Sequence, residues 1–526
     1  MKKMMKPFLT MLLAMVMVLG TLTTVFAAEG EGGFPVIIPP TTTTYTITVP
    51  SNEGHTYEIY QIFEGDYSDG VLSNVTPGYN AVEGIDVDAA LTALEALDAS
   101  ASNTEKLAVI SKYVDLDSDA YATASAGSTV NVDAGYYLIK DEDGSVTGND
   151  SYTLYLVTVA GNVTLTAKAD KPSVDKKVYE ESMKKYQDAA DYDIGDDVPF
   201  KLTATMGDLD GYKTYYLNFD DNTSQGLTFN EDSVKITMIT TVTNEDGTTS
   251  EVTKDVTEYF TVTVNQKYVT DADGNYVTDA EGNKIEDGQE IWYTCNNILD
   301  FGATSSCKIV VDYTSTLTTD ANIGDAGNAN YVKLQYSNNP NEDHDGEKGE
   351  TPEDKVIVFT YKVVANKVDE NQTALKGAGF TLYKYNETSK EYEAVGSEVK
   401  GEDMTTFTWN GIDAGQYKLV ETTTPAGYNT CDDITFTVEA TYDTSSQDPK
   451  LTALVVKDAN GTVISTGDDA AFTASTSTGA VETTVVNESG ATLPTTGGMG
   501  TTVIYVAGMI LVLFAGVMLV TRRRMA

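Results

Sequence analysis

The chain has 526 residues, with 79 acidic side chains against 34 basic ones and a formal net charge of −45. A polyanion repels nucleic acid and anionic membrane surfaces, so this charge excludes a nucleic-acid-binding protein. The length is too great for one hydrophobic core and indicates about three domains. Tyrosines number 32 and tryptophans only 2, and Gly, Asn and Asp turn signals recur between stretches rich in Val and Thr. This composition predicts all-β domains.

The amino-terminal residues 1–27 predict a secretory signal peptide. Three lysines, at positions 2, 3 and 6, precede an apolar run from Phe8 to Leu19, and small residues occupy the usual cleavage positions before Ala28. We expect cleavage after Ala27 and export of the mature chain.

The carboxyl-terminal residues 493–526 predict a membrane span with a motif in front of it. An apolar run from Val503 to Val520 is followed by three arginines, which match a cytoplasmic stop, and as a helix the run is about 27 Å long. The motif resembles the sorting signal of Gram-positive surface proteins, and consists of Leu493, Pro494, Thr495, Thr496 and Gly497. In that family a sortase cleaves between the Thr and the Gly and transfers the threonine acyl group to an amine.

Residues 28–170 predict a β domain with a helical insertion. Period-two alternation predicts strands at Tyr45–Val49, Tyr57–Phe63, Gly135–Ile139, Tyr152–Val159 and Asn162–Lys168. Leucines at three- and four-residue spacing predict one or two short helices between Asp86 and Tyr113. In the last strand Lys168 falls on the polar face, so we expect it to point to solvent.

A middle domain, residues 171–360, places a lysine where a core residue is expected. Val174, Lys176 and Val178 share one strand face, and a buried charged amine is costly unless it is neutralised or bonded. Two further apolar strand faces of this domain end in Asp221 and Asn338. The alternative pair, Lys177 and Asn339, is one residue out of register and falls on the opposite face.

A third domain, residues 361–490, repeats this pattern with Lys367, Glu421 and Asn487. Burial lowers the pKa of a lysine and raises that of a carboxyl group, so a neutral amine can attack the asparagine amide while the protonated acid polarises it. The product is an intramolecular Lys–Asn isopeptide bond, with release of ammonia. Because the protein is its own substrate in a single turnover, we expect neither a conventional enzyme nor a cofactor.

Two near copies of an octapeptide, Tyr268–Asn275 and Tyr276–Asn283, contain Asp and Gly at turn positions. They resemble the start of a calcium loop, but Gly282 occupies the place of the twelfth-position glutamate. We therefore predict two tight turns in an inserted hairpin and no metal site. The two histidines, His55 and His344, are far apart in sequence, which excludes a histidine-based catalytic triad.

The chain has three cysteines. Cys295 and Cys307 flank a short loop, and in an exported protein they either pair as a disulfide or remain free thiols; the sequence leaves both open, as it does for Cys431.

The third domain resembles a CnaB-type immunoglobulin-like domain in the segments Lys367–Phe380, Tyr417–Glu421 and Pro425–Tyr428. The resemblance maps the bond-forming residues onto Lys367 and Asn487, with Glu421 as the assisting acid.

The middle domain resembles the CnaA-like domain of pilin backbones in the segments Asp175–Val178, Asp221–Leu227 and Tyr336–Pro340. Here the resemblance implies a bond between Lys176 and Asn338, assisted by Asp221. The first domain shows no comparable triad.

The whole chain resembles a SpaA/FimA-type major pilin of Gram-positive sortase-assembled pili. The resemblance implies tandem immunoglobulin-like β-sandwiches and an acceptor lysine, at the end of the first domain, that receives Thr496 of the next subunit. Lys168 occupies that place. The family's Tyr-Pro-Lys is here Thr166-Ala167-Lys168, which leaves Lys171 as the alternative acceptor.

The expected function is therefore a structural shaft subunit of a pilus, or fimbria, which is anchored to the cell wall and supports adhesion. The implied partners are a pilin-specific class C sortase, a housekeeping sortase with peptidoglycan, further copies of the chain, minor tip and base pilins, and host or bacterial surface ligands. The chain would be held in the membrane only until sortase cleavage. The alternative is a monomeric cell-wall adhesin with the same anchor.

Overall fold

The computed structural model describes residues 44–68, 71–96, 108–146, 152, 154–165, 171–209, 212–244, 246–340, 346, 348–467, 469–490, 509–513 and 518. Three pairs of β-sheets follow one another along this part of the chain, which confirms the all-β prediction. The predicted signal peptide, Lys168 and the sorting motif 493–497 lie outside the described residues. Within those residues, no helix has the length and apolar character needed to cross a membrane.

The first pair of sheets carries the predicted helical insertion. Its elements are β1 (Tyr45–Thr48), β2 (Thr56–Ser68), β3 (Val71–Pro77), α1 (Val87–Glu95), β4 (Ala122–Ser125), β5 (Thr129–Val132), β6 (Gly135–Asp141), β7 (Leu154–Val159) and β8 (Val163–Thr164). One sheet has the order β3-β2-β6-β7, with β4 also paired to β2, and the other has the order β5-β1-β8. Asp86 caps α1 by accepting a hydrogen bond from the backbone N–H of Ala89 at 3.0 Å.

Strand β2 is buried on both faces. Tyr57 and Ile59 pack into the core between the two sheets, whereas Tyr60 and Ile62 pack into a second core that includes Leu94 of α1. This explains why apolar and aromatic residues occupy both faces of β2 between Tyr57 and Phe63.

The second pair of sheets forms the largest sandwich. Its strands are β9 (Ser173–Glu180), β10 (Lys185–Gln187), β11 (Ala189–Asp191), β12 (Asp197–Thr205), β13 (Leu217–Thr223), β14 (Leu227–Thr243), β15 (Thr249–Asp255), β16 (Thr261–Tyr268), β17 (Glu286–Cys295), β18 (Lys308–Leu317), β19 (Asn328–Ser337), β20 (Lys348–Glu350) and β21 (Asp354–Phe359). Short 3₁₀ helices span Thr257–Tyr259 and Ile298–Phe301.

The two sheets of this sandwich have different strand sets. The first has the order β10-β9-β12-β18-β14-β15, and the second has the order β11-β21-β19-β13-β17-β16, with β20 also paired to β19. One continuous apolar core lies between them. Strand β9 therefore faces β13 and β19 across the core, which brings together segments far apart in sequence.

The third pair of sheets begins immediately afterwards. Its strands are β22 (Tyr361–Asp369), β23 (Gly379–Asn386), β24 (Glu391–Ala394), β25 (Val399–Lys400), β26 (Thr406–Ile412), β27 (Gly415–Thr423), β28 (Ile434–Asp443), β29 (Lys450–Lys457), β30 (Phe472–Ser475) and β31 (Ala480–Asn487). The sheet orders are β26-β22-β31-β30 and β24-β23-β27-β28-β29, with β25 paired to β23. The first strand, β22, and the last, β31, are parallel neighbours.

Polar side chains join the second and third pairs of sheets. Lys384 Nζ lies 2.6 Å from Asp193 Oδ2 and 2.8 Å from Asp413 Oδ2. The buried carboxylate of Asp191 accepts hydrogen bonds from the hydroxyls of Tyr361 and Tyr442. Only Thr360 separates β21 from β22, so the predicted boundary at residue 360 falls inside a continuous buried junction.

Candidate functional site

The first candidate site lies inside the second pair of sheets, where Lys176 is completely buried. Lys176 comes from β9 in one sheet, whereas Asp221 and Asn330 come from β13 and β19 in the other, and all three side chains have no exposed surface. Val178, two residues along β9, belongs to the surrounding apolar core. The period-two alternation of β9 thus directs the lysine inward, as the sequence predicts.

Every polar side chain of this cluster is within hydrogen-bond distance of another. Lys176 Nζ lies 2.7 Å from Asn330 Oδ1 and 2.8 Å from Asp221 Oδ1. Tyr313, on β18, donates its hydroxyl proton to Asp221 Oδ2 at 2.7 Å and accepts a hydrogen bond from Asn330 Nδ2 at 2.8 Å. The amine, the acid and the amide are therefore assembled in one buried network.

Burial sets the proton affinities in this network. It lowers the pKa of Lys176 to about 8, although the nearby Asp221 opposes the shift. It also raises the pKa of Asp221, and here the nearby Lys176 opposes the shift. The two groups thus approach each other in proton affinity, which favours transfer of a proton from the amine to the carboxylate.

The structure corrects one member of the predicted set, because the amide at Lys176 belongs to Asn330 and not to Asn338. Asp221 is opposite Val332 in the β13–β19 ladder, so Asn330 is two residues from that level. Asn338 is six residues away in the other direction, or about 20 Å along an extended strand. Its backbone carbonyl accepts a hydrogen bond from the N–H of Tyr152 instead.

The alternative lysine, Lys177, faces away from the core as the alternation predicts. Its amine forms an ion pair with Asp188 at 2.8 Å, and 28% of its side chain is exposed. Asn339 is buried beyond the end of β19, one residue further than Asn338. The alternative pair does not form a cluster with Asp221.

The second candidate site lies in the third pair of sheets and contains all three predicted residues. Lys367, Glu421 and Asn487 are 1%, 5% and 1% exposed. Asn487 Nδ2 donates to Glu421 Oε1 at 2.7 Å. Lys367 Nζ donates to the carbonyl oxygens of Val368 and Val485, each at 3.0 Å. Val485 precedes Asn487 by two residues on β31, so the amine lies beside the strand that carries the amide.

Burial acts on the lysine of this second site in the same direction as at the first. Burial lowers the pKa of Lys367, and the negative charge of Glu421 opposes the shift. The carbonyl oxygen of the Asn487 amide is buried and has no hydrogen-bond partner among the described residues. An unpaired buried carbonyl is costly, and this cost falls on the amide that the sequence predicts as the bond partner of Lys367.

Three residues at these sites were missed by the sequence analysis. Asn330 lies on β19 and Asn338 follows its last residue, but both fit the same period-two alternation, so alternation alone does not separate them. In the sequence, nothing distinguishes Tyr313 on β18 from an ordinary core tyrosine. Cys431 reads as an isolated thiol, but its backbone N–H donates to Glu421 Oε2 at 2.9 Å, and burial raises the pKa of its thiol to about 11.

The other two cysteines are not joined. Cys295 and Cys307 are buried free thiols in the core of the second pair of sheets. Of the two outcomes left open by the sequence, the structure therefore contains the reduced one.

The octapeptide copies form the predicted turns. Backbone bridges join Thr270 to Tyr276 and Thr278 to Lys284. The carboxylate of Asp271 accepts backbone N–H groups of its own turn, at 3.0 Å from Asp273 and 2.9 Å from Asn275. Among the described residues, no group of three His, Cys, Asp or Glu side chains is arranged to hold a metal ion.

Comparison with known proteins shows what the chain is similar to. Residues 361–450 match the SpaA prealbumin-like fold domain, a range that contains Lys367 and Glu421 and ends before Asn487. The matched residues lie within the third pair of sheets. The chain is also 27% identical, over 286 residues, to the trypsin-resistant surface T6 protein of Streptococcus pyogenes serotype M6. These similarities confirm the predicted resemblance to major pilins of Gram-positive bacteria.

The T6 alignment covers 51% of this chain and 45% of the T6 protein, so the chain spans about half the length of this curated relative. Similar solved structures include the T6 backbone pilin of S. pyogenes serotype M6, with a TM-score of 0.44, 20% identity, and coverage of 85% of this chain and 99% of that one. Another is the full-length major pilin SpaD of Corynebacterium diphtheriae, with a TM-score of 0.40, 15% identity, and coverage of 85% and 97%.

The lowered pKa of Lys176 predicts a pH-dependent stability in a chain without the Asn330 amide. An Asn330→Ala chain retains the Lys176–Asp221 pair, and burial in the fold lowers the pKa of this lysine from 10.5 to about 8 in the unaltered chain. Between these values the unfolded chain binds more protons, so the free energy of unfolding should rise with pH, by about 3 kcal/mol in total. Urea unfolding followed by Trp292 fluorescence, in a Trp409→Phe background, measures this rise.

The matched control replaces the titrating pair with neutral residues, Lys176→Met and Asp221→Asn, in the same Asn330→Ala chain. The rise between pH 8 and 10.5 should then disappear. If the control chain shows the same rise, groups other than Lys176 cause it.

Proposed function

We propose that this chain is a structural subunit of a bacterial surface pilus, polymerised head to tail by a sortase, and that Lys–Asn isopeptide bonds close inside its second and third pairs of sheets. The observation that carries the proposal is the buried amine of Lys176, 2.7 Å from the amide oxygen of Asn330 and 2.8 Å from Asp221. A core that served packing alone would gain from apolar residues at these positions. Reactive groups held this close instead favour bond formation.

In the second pair of sheets the reaction begins inside the Lys176–Asp221 pair. Transfer of the ammonium proton to the carboxylate yields a neutral amine and a neutral acid. The amine then attacks the carboxamide carbon of Asn330, and the amide nitrogen leaves as ammonia. The new bond would join the two sheets across the core, because Lys176 and Asn330 belong to different sheets.

In the third pair of sheets the proposed bond has a different position in the fold. Lys367 and Asn487 lie on β22 and β31, which are adjacent parallel strands of one sheet. These are also the first and last strands of the domain. A force along the chain would pass directly from Lys367 to Asn487 through the bond, and the strands between them would carry no load.

The proposed Lys176–Asn330 bond would protect the second pair of sheets from force less completely. Force would pass from Lys176 to Asn330, which removes β10 to β18 from the load path. Strands β20 and β21, which follow Asn330, would still bear load. Their protection would depend on pairing with β19 and on the junction with the third pair of sheets.

The polymerisation part of the proposal rests on the sequence. Thr496 of the sorting motif would be the acyl donor, and Lys168, which follows the short strand β8, would be the acceptor amine of the next subunit.

The related T6 protein is a trypsin-resistant surface protein. Cross-linked sandwiches are expected to resist proteolysis, because cleavage requires local unfolding. The sortases, peptidoglycan and accessory pilins expected from the resemblance belong to this same proposal.

For the second pair of sheets, the intact chain should yield a branched tryptic peptide that contains Lys176 and Asn330. Asn330→Ala should remove this peptide and restore the mass of one ammonia molecule. Asn338→Ala is the matched control and should leave the branch intact, since Asn338 lies far from the amine. Recovery of Lys176 and Asn330 on separate linear peptides of the unaltered chain would contradict the proposed bond.

For the third pair of sheets, the branched peptide should join Lys367 to Asn487, and Glu421→Ala should abolish it because the acid that polarises the amide is lost. Glu402, which is exposed on the same domain, provides the control, and Glu402→Ala should leave the branch unchanged. Mass spectrometry of the digests measures both. A Glu421→Ala chain that still forms the full amount of branched peptide would exclude a role for this acid.

Polymerisation is tested by a cell-wall extract run under denaturing and reducing conditions. The unaltered chain should give a ladder of high-mass species, and Lys168→Ala should reduce it to wall-anchored monomer. Lys171→Ala is the control and should leave the ladder intact. A ladder that is lost in Lys171→Ala and kept in Lys168→Ala would move the acceptor to Lys171. A single band from the unaltered chain would identify a monomeric adhesin.

A further inference from the structure

We propose that Tyr313 is a further catalytic residue of bond formation in the second pair of sheets, and that its hydroxyl delivers a proton to the nitrogen that leaves Asn330. This inference rests on the proposed Lys176–Asn330 bond and names the group that completes its chemistry.

The Tyr313 hydroxyl contacts every reacting group at this site. It lies 2.8 Å from Asn330 Nδ2, the atom that must leave as ammonia. It also lies 2.7 Å from Asp221 Oδ2 and 3.2 Å from Lys176 Nζ. No other described group hydrogen-bonds to Asn330 Nδ2, so the phenol is the proton donor within reach of the leaving nitrogen.

Packing fixes the hydroxyl in this position. Tyr313 is 2% exposed, and its ring stacks on Phe200 at a centroid distance of 5.3 Å. The rings of Phe229 and Tyr293 lie against it at 5.5 Å and 5.9 Å. A side chain held on several sides keeps its hydroxyl aligned without a further ordering cost during the reaction.

The chemistry requires such a donor. An amide nitrogen is a very poor leaving group as an anion, so it must gain a proton as the carbon–nitrogen bond breaks. The completely buried site excludes bulk water as the source. Asp221 is engaged with Lys176 through one oxygen and with Tyr313 through the other, so it reaches the leaving nitrogen only through the tyrosine.

The proton transfers balance as follows. Lys176 begins as an ammonium group and loses two protons, whereas Asn330 Nδ2 gains one. The first proton passes to Asp221 Oδ1, which leaves a neutral amine and a neutral acid, and the second passes from Lys176 Nζ to the phenol oxygen during the attack. Tyr313 gives its own proton to Asn330 Nδ2. The bond between the Asn330 carbonyl carbon and Lys176 Nζ forms, the bond from that carbon to Nδ2 breaks, and ammonia leaves. Tyr313 ends in the form in which it began, and Asp221 ends as a neutral acid that holds the other proton.

In the third pair of sheets, the proposed reaction would protonate the leaving amide nitrogen without a phenol. There Asn487 Nδ2 donates directly to Glu421 Oε1 at 2.7 Å. The acid therefore touches the leaving nitrogen itself. This difference makes the third-domain bond an internal reference in the same molecule, because it should not depend on Tyr313.

The experiment is a time course of bond formation in the full chain. The chain is made by cell-free synthesis, quenched in acid at intervals and digested with trypsin, and the two branched peptides are quantified. Tyr313→Phe keeps the ring and removes the hydroxyl. It should slow the Lys176–Asn330 bond about 100-fold and leave the Lys367–Asn487 bond unchanged.

Tyr293→Phe is the matched control. It also removes a buried hydroxyl from the same aromatic cluster, but that hydroxyl has no hydrogen-bond partner among the described residues. It should leave both rates unchanged. Equal rates in Tyr313→Phe and the unaltered chain would overturn the role of Tyr313 alone. Absence of the Lys176–Asn330 branch from the unaltered chain would instead overturn the proposed bond.

A second substitution separates proton delivery from packing. Replacement of Tyr313 by 3-fluorotyrosine keeps the shape and the hydroxyl but makes the phenol more acidic, so bond formation should be retained and its rate should change. A rate identical to that of tyrosine would contradict proton transfer from this hydroxyl. The 3-fluorotyrosine substitution tests proton transfer even if the Tyr313→Phe chain fails to fold, which circular dichroism would reveal.

Discussion

Burial of the Lys176 amine between two sheets is the constraint on which the largest sandwich depends. A charge in a core of low dielectric must be paired, and removal of one partner of a buried pair typically costs about 3–5 kcal/mol. The sequence therefore has to supply Asp221 and Asn330 from the opposite sheet, and Tyr313 from the same sheet as the lysine. The positions of β9, β13, β18 and β19 are all tied to this one amine. A covalent bond would replace the electrostatic pairing by a permanent link.

The two buried clusters use the same side-chain chemistry in different places of the fold. In the second pair of sheets the lysine and the amide face each other across the core, with 2.7 Å between amine and oxygen. In the third they lie on neighbouring parallel strands, and the acid comes from the opposite sheet. One arrangement would prevent separation of the sheets, and the other would prevent sliding of the terminal strands. Together the two bonds would oppose both of these motions.

The junction between these two sandwiches is held by buried polar contacts and not by covalent bonds. Strands β21 and β22 are separated by Thr360 alone, and Lys384 bridges carboxylates on both sides. Asp191 also lies at this junction, and burial raises the pKa of its carboxyl group to about 6. This carboxyl group accepts hydrogen bonds from two tyrosine hydroxyls. Buried polar contacts of this kind fix relative orientation, because any rotation would leave charged groups unpaired. The two sandwiches are therefore expected to move as one unit.

The sequence by itself determined the all-β class, the helical insertion near α1, the inward direction of Lys176 and Lys367, and the acids Asp221 and Glu421. These follow from local periodicity, because side chains on a strand alternate between two faces. Only the tertiary structure decided that Asn330 and not Asn338 meets Lys176. Both asparagines fit the same period-two alternation, although Asn338 lies just beyond the end of β19. The choice depends on the register of β19 against β13, which long-range packing fixes. The same holds for Tyr313, since no local pattern distinguishes a tyrosine that only packs from one whose hydroxyl meets three polar groups across a core.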